Sequence, residues 1–305
     1  MSFEREVAKP AKQKAPDHKF RKGTEVVRLE GRARRATRLT AQLEERRDAA
    51  RTIVGGVRFS VGRDTGFSVH PPGTFDTADV VSYALQTVED SDLVRKKLKA
   101  NKPFMMQLLD QGLYTIESPL LRFGLQSEIV AIAAAYLGLV PILQFASVYY
   151  SSATGAELAK SQLYHCDSDD VEQLKVFVLC EAVTPAMGPL TLLRADDSEV
   201  IRARSAYRFN TRLADTDVEE LLGGRPAATE LVGPAGTTAF VDTSRCFHYG
   251  SRIEDPTLRR VIVLLQYVTP LAFVLPEDDF RLGARFRALD APSLDPVTRL
   301  VLGAA

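Results

Sequence analysis

The chain has no tryptophan, three cysteines and four histidines in 305 residues, and its formal net charge is zero. Each scarcity excludes something. Cys166, Cys180 and Cys246 are an odd number without clustered spacing, so no disulfide framework is expected. They read as small core residues of a protein in a reducing compartment, the cytoplasm. A zero net charge gives no global reason to bind nucleic acid or a membrane surface. The N-terminus lacks the apolar run of a secretory signal.

Charge is also missing from one internal run, IVAIAAAYLGLVPILQFASVYY over 129–150. That length could span a bilayer. Gly138 and Pro141 interrupt it, however, and its halves differ in kind. The first is Ala-rich and helical; the second is β-branched and aromatic. A buried helix turning into a buried strand is expected, and no membrane span.

Because histidine is so scarce, its placement is informative. His165-Cys166-Asp167 puts an imidazole and a carboxylate at i and i+2, on one face of a strand, while Cys166 faces the other way. His248 lies 83 positions later, near the end of a strand-like run. Two His and one carboxylate are the facial ligand set of non-haem Fe(II), which leaves metal positions open. His165, Asp167 and His248 are therefore the candidate catalytic and metal residues. His70, beside two prolines, reads as structural or exposed.

The order LYHCDSDD, LKVFVLCEAV, GPLTLL, GPAGTTAFVDTSRCFHYGSR and RRVIVLLQY resembles the phytanoyl-CoA dioxygenase superfamily of 2-oxoglutarate/Fe(II) oxygenases over roughly 142–270. The resemblance implies a double-stranded β-helix (a cupin-like jelly roll). It implies Fe(II) on His165, Asp167 and His248, with 2-oxoglutarate and O2 as cosubstrates. It also implies hydroxylation of a small molecule with release of succinate and CO2. Relatives that halogenate carry a small residue where Asp167 stands, so a hydroxylase or desaturase is implied. Tyr164 stands where relatives often have Trp. Arg194-Ala195-Asp196-Asp197 replaces a Gly-Ser-His-like segment.

An Arg after the distal His is implied to hold the far carboxylate of 2-oxoglutarate. Arg259 and Arg260 are adjacent on one strand and face opposite ways, and periodicity does not choose between them. Gln266 makes the Arg260 face slightly more polar. A spacing of 11 from His248 matches the family pattern, and both features favour Arg259. Phe177, Thr191 and Ser251 are further cosubstrate candidates. Tyr164, Gln162 and Lys175 are substrate candidates.

The rest of the chain supplies scaffolding. Residues 1–50 hold 14 Lys and Arg against 8 Asp and Glu. Residues 1–24 read as a disordered tail. From Arg28 to Arg51 the chain is rich in Arg and Glu, with Leu39 and Leu43 spaced for one helix face, and 1–51 together read as a basic arm: a solvated arm or surface helix, or a contact arm for an acidic partner, nucleic acid or a second subunit. A single domain then covers 52–305, mainly β behind a helical N-terminal layer. It comprises β-like pieces near 52–62, a helical buttress at about 78–140, a β-helix core at about 142–270 and an extension over 271–305. Helices are expected at 78–98, capped by Asp76 or Thr77, and at 103–112, 125–138 and 215–222. Strands are expected near 142–150, 158–166, 173–183, 189–194, 201–209, 228–232, 237–243, 245–250 and 258–269. Two other readings fit the same residues: a cupin-like metal protein that does not use 2-oxoglutarate, and a catalytically silent binding module. Oligomeric state is not legible.

Overall fold

The computed structural model describes residues 24–109, 114–205, 207–208 and 211–304. Its β elements form two antiparallel sheets. The larger has six strands: β1 (Phe67–His70), β2 (Met105–Gln107), β3 (Ile142–Ser152), β4 (Leu174–Leu179), β7 (Thr238–Val241) and β9 (Arg259–Val268), in the order β1-β7-β4-β9-β3-β2. The smaller has β5 (Thr191–Leu192), β6 (Thr229–Glu230) and β8 (His248–Tyr249), in the order β6-β5-β8.

The large sheet is buried on both faces, and its alternation sorts the side chains. On β4, Leu174, Val176 and Val178 join a core packed under helices. Phe177 and Leu179 join a second cluster with Leu190 and Leu192 of the small-sheet side. On β9, Val261, Val263, Leu265 and Tyr267 face the helices, while Arg260, Ile262, Leu264 and Gln266 face a cavity. The register of β3 on β9 shifts between Leu143 and Phe145. This bulge lets the consecutive residues Gln144 and Phe145 both line the cavity.

The helical layer is α3 (Ala78–Glu89), α4 (Leu93–Lys99), α5 (Pro119–Gly124) and α6 (Ser127–Leu137). The uncharged run resolves as expected. Helix α6 stops at Gly138, whose φ of 74° is a left-handed cap, and the chain re-enters as β3. Among the described residues no helix is long and apolar enough to cross a membrane. The single helix expected over 78–98 is two. Asp92 caps α4 by accepting a hydrogen bond from the Arg95 N–H, whereas the Thr77 side chain makes no cap bond to α3.

Four local expectations are corrected. Residues 103–112 carry strand β2, not a helix, and 110–113 lie outside the described residues. The strand expected near 158–166 is replaced by a 3-10 turn at Lys160–Gln162 and isolated bridges at Tyr164 and His165. No strand forms among the described residues of 201–209: α7 (Ala195–Arg204) occupies its first part, and α8 (Asp215–Leu222) follows. The β-like residues at 52–62 begin as a helix end and a short 3-10 turn, and the strand comes later, at β1. The C-terminal helix is α9 (Pro296–Leu302).

From residue 24 the basic segment is docked. Helix α1 (Thr24–Arg38) and helix α2 (Thr40–Ile53) lie on the domain, with Leu39 and Leu43 packed among Ile142, Val268 and Phe280. Their arginines do structural work. Arg35 donates to the carbonyls of Ala272 (2.7 Å) and Leu275 (3.2 Å), and Arg46 to those of Val140 (3.0 Å) and Ala304 (2.8 Å). The expected boundary at residue 51 thus separates no independent unit in the described residues. The expected disordered tail otherwise falls on residues 1–23, outside them.

Arg46 is 1 % exposed, and burial lowers its pKa to about 10. Arg46→Met keeps the aliphatic stem but strands two buried carbonyls. It is expected to lower unfolding free energy by ~2 kcal/mol or more, measured by urea denaturation. A loss within ~0.5 kcal/mol would show that the docking is incidental.

Candidate metal centre

Two short extended segments meet at the centre. The backbone of His165 pairs with that of His248 through reciprocal N–H to carbonyl bonds of 3.1 and 2.9 Å. Directly opposed residues project to the same face, so the rings lie together, with centroids 4.2 Å apart. Asp167, two residues beyond His165, is anchored by its N–H to the Thr243 carbonyl at 2.8 Å. Its carboxylate lies 3.8 Å from Nε2 of His165 and 3.8 Å from Nε2 of His248. One ligand atom from each of the three residues lies within 4.8 Å of the others.

The donor set suits a divalent ion. Nδ1 of His165 is 2.9 Å from the Leu163 carbonyl, and Nδ1 of His248 is 3.0 Å from the Cys246 carbonyl. A carbonyl only accepts, so each Nδ1 carries the proton and each Nε2 presents its lone pair. Burial holds both imidazoles below their ordinary pKa and therefore neutral. Burial alone would raise the Asp167 pKa, but the charge and hydrogen bond of the Lys175 ammonium outweigh it, and the group sits well below its usual range.

The surrounding loops are tied down by charge. Asp170 accepts from Arg32 of α1 at 2.5 Å and from the Thr269 hydroxyl at 2.7 Å. Asp242 accepts from the Tyr136 hydroxyl (2.8 Å) and from the N–H groups of Ser244 (3.0 Å) and Arg245 (3.2 Å). These contacts shape the turn that delivers His248. The Asp242 bonds to Ser244 and Arg245 form a local Asp-initiated turn, whereas those with Arg32, Thr269 and Tyr136 cross the sequence and are not readable from it.

The triad opens into a cavity of about 290 Å³ between the two sheets. Lys175 and Phe177, on the cavity face of β4, line it as expected. Lys175 Nζ lies 2.6 Å from Asp167 Oδ2.

The expectation that Arg259 looks inward is corrected. Arg259 lies outside, its side chain 40 % exposed and paired with Glu181 at 2.7 Å. Arg260 is the inward residue, 3 % exposed and lining the cavity. It donates to the Gly188 carbonyl and to the Ser251 hydroxyl (2.9 Å), and its Nε has no partner. No ion pair to it exists among the described residues, and burial lowers its pKa to about 10.

Ser251 does not line the cavity but stands behind Arg260. It adopts φ 63°, a left-handed conformation uncommon outside glycine, and its hydroxyl also meets that of Ser151 at 3.0 Å. Gln162 is one step further back, donating to the Ser251 carbonyl at 2.9 Å. Tyr164 and Thr191 are corrected outright, because both line a separate depression beside α8. Tyr164 precedes His165 and so points the other way, into a cluster with Cys166 and Phe247. Thr191 pairs with Tyr249, and it is Leu192 that shares the face of His248. Lys102, Asp169 and Arg285 also line the cavity. Asp169 continues the His165, Asp167 alternation within LYHCDSDD, whereas Lys102 and Arg285 are far away in sequence and no motif marks them.

No family model and no curated protein sequence matches the chain. Solved structures with a similar course include EctD from S. alaskensis with 2-oxoglutarate and 5-hydroxyectoine. It is 16 % identical over 71 % of this chain and 80 % of that one, with a TM-score of 0.48. HygX from Streptomyces hygroscopicus with nickel and 2-oxoglutarate is 15 % identical over 70 % and 85 %, with a TM-score of 0.47. The epimerase SnoN with Fe3+, alpha ketoglutarate and nogalamycin RO is 16 % identical over 84 % and 93 %, with a TM-score of 0.48. Likeness at this level carries no functional conclusion for this chain.

The donor geometry is testable without turnover. Co(II) titration followed by visible absorption is expected to show a single site. Asp167→Ala should weaken it at least about tenfold, ~1.4 kcal/mol, while leaving circular dichroism unchanged. Unaltered Co(II) affinity in that variant would mean the three side chains do not form the site.

Proposed function

We propose that the protein is a 2-oxoglutarate- and Fe(II)-dependent dioxygenase of double-stranded β-helix architecture, related to the phytanoyl-CoA dioxygenase-like group, that hydroxylates a small molecule. The observation that carries this reading is Arg260. A guanidinium buried without a carboxylate is costly, and this one shares a cavity with two neutral imidazoles and a carboxylate. A bound dicarboxylate cosubstrate would remove the cost.

Nε2 of His165, Nε2 of His248 and the Asp167 carboxylate would hold the metal. Fe(II) bound there supplies oxygen activation coupled to conversion of 2-oxoglutarate into succinate and CO2. The chain's own residues do the rest. Arg260 binds the far carboxylate through its planar fork. Ser251, held by Gln162, fixes the direction of that fork. Phe177, Leu190 and Ile262 form an apolar wall that keeps water from the cosubstrate. Lys175 neutralises Asp167 until a metal replaces it as the cation. The ammonium is then free for cosubstrate or substrate.

A second reading draws on that same 2.6 Å ion pair: a silent relative in which Lys175 occupies the cation's place permanently. Fe(II)-dependent succinate release from 2-oxoglutarate separates the two. Under the oxygenase reading, Arg260→Ala raises the 2-oxoglutarate concentration for half-maximal release by about tenfold or more, in keeping with the ~2–5 kcal/mol of a broken desolvated charge pair. Arg259→Ala, which breaks only a rim pair, changes it by less than about twofold. Equal effects of the two substitutions would sink the clamp assignment. Absence of both metal binding and succinate release would favour the silent reading.

A further inference from the structure

Arg260, Lys175, Lys102 and Arg285 line the cavity against the carboxylates of Asp167 and Asp169. Lys175 is paired with Asp167, and Arg260 is reserved for the cosubstrate. Lys102 and Arg285 are left over. Neither makes a side-chain hydrogen bond or ion pair in the described residues. Arg285 instead lies over the Phe145 ring at 5.6 Å.

Lys102 also belongs to a second space. A groove of about 710 Å³ runs along α4 and shares Lys102, Met105 and Tyr149 with the cavity. Its other cations are Arg95, Lys96 and Lys99, and the one carboxylate in its lining is Asp92. That carboxylate is already used as the cap of α4, accepting from the Arg95 N–H at 2.9 Å. Lys96 is held by the Leu108 carbonyl at 2.7 Å. The side chains of Arg95, Lys99 and Lys102 have no such partner in the described residues.

Four cations around one groove repel one another, and among the described residues no carboxylate forms an ion pair with their side chains. Lys102 is the most constrained: burial lowers its pKa, and the charges of Lys175, Arg212 and Lys160 lower it further against the pull of Asp167. A solvated charged face would keep its ammonium groups apart in open water. Here they converge on a concavity that leads to the metal donors.

We infer that the substrate carries a multiply charged anionic tail of the phosphate-ester kind, seated in the α4 groove, while its reacting body enters the cavity past Lys102. Three features select this chemistry. Several converging cations call for more than one negative charge. The groove combines rotating ammonium point charges with the planar fork of Arg95, both of which suit phosphate oxygens, while the inner fork of Arg260 is taken by the cosubstrate carboxylate. The passage is walled by Met105, Tyr149 and Phe145, an apolar throat for the uncharged part of the molecule. The inference rests on the oxygenase reading for what happens at the inner end of the cavity, but the groove's ligand chemistry does not depend on it.

The test is calorimetric titration of the full chain, without added metal, with inorganic pyrophosphate and separately with citrate. Pyrophosphate is expected to bind, and to weaken as NaCl rises from about 50 to about 300 mM. The double variant Lys99→Ala/Lys102→Met, with an unchanged melting temperature, is expected to lose at least about tenfold in affinity. Arg260→Ala is expected to leave pyrophosphate binding as it is. No pyrophosphate binding, or binding that survives the double variant, overturns the inference. So does citrate binding as tightly with the same sensitivity, since that would make the groove a carboxylate site. Succinate release is measured in parallel. If it occurs while pyrophosphate fails, only the groove inference falls; if pyrophosphate binds while succinate release fails, only the oxygenase reading falls.

Discussion

Two backbone hydrogen bonds between His165 and His248 decide where the three donor atoms meet. They oppose the two residues directly, and opposition forces the rings onto one face. Asp167 then follows from strand alternation, and each Nε2 is aimed by a carbonyl behind its Nδ1. Very little of this depends on side-chain packing. The surrounding structure has one task, to hold two short extended segments in register. Neither segment is long enough to do so alone: β8 has two residues, and His165 lies outside any named strand.

That task falls on buried charge. Asp242 builds the turn before His248, and Asp170 ties the loop after Asp167 to α1 and to the end of β9. The basic N-terminal helices therefore act as a brace. Arg28 donates to the Ser168 carbonyl at 3.0 Å and Arg32 to Asp170, on either side of Asp169. Arg35 and Arg46 hold the C-terminal extension by its carbonyls. A composition that suggests a solvated arm is consumed by hydrogen bonds spanning 138 to 258 residues of sequence.

The cavity has a division of labour by charge geometry. A planar guanidinium sits at the dry end beside Ser251 and Gly188, whereas ammonium groups gather at the wet end along α4. Between them the wall alternates between aromatic and aliphatic side chains from β3, β4 and β9. The inner end of the site thus presents one buried guanidinium and its entrance a group of four cations, Arg95, Lys96, Lys99 and Lys102.

The metal donors were legible in the sequence because histidine is scarce and because i, i+2 spacing has one meaning on an extended chain. The helix–strand switch at Gly138 and Pro141 and the helix at 215–222 were legible for the same kind of reason: local chemistry decides them. The inward arginine was not. Arg259 and Arg260 lie on a strand with apolar neighbours on both faces, so periodicity gives no sign. Only the covering helices on one side and the cavity on the other make the faces different. Tyr164 failed against strand alternation itself, since it precedes His165 and faces away together with Cys166, and Thr191 failed because its partner across the sheet, Tyr249, is not revealed by sequence distance. The strand expected at 201–209 failed because apolar alternation there is weak and packing of Ile201 against Phe247 and Val218 favoured a helix. By itself, then, the sequence determined the donor types and the local turns, which depend on neighbouring residues. The tertiary structure decided which cation faces the metal donors and which lines the groove, because a side chain's burial is set by what crosses it from elsewhere in the chain.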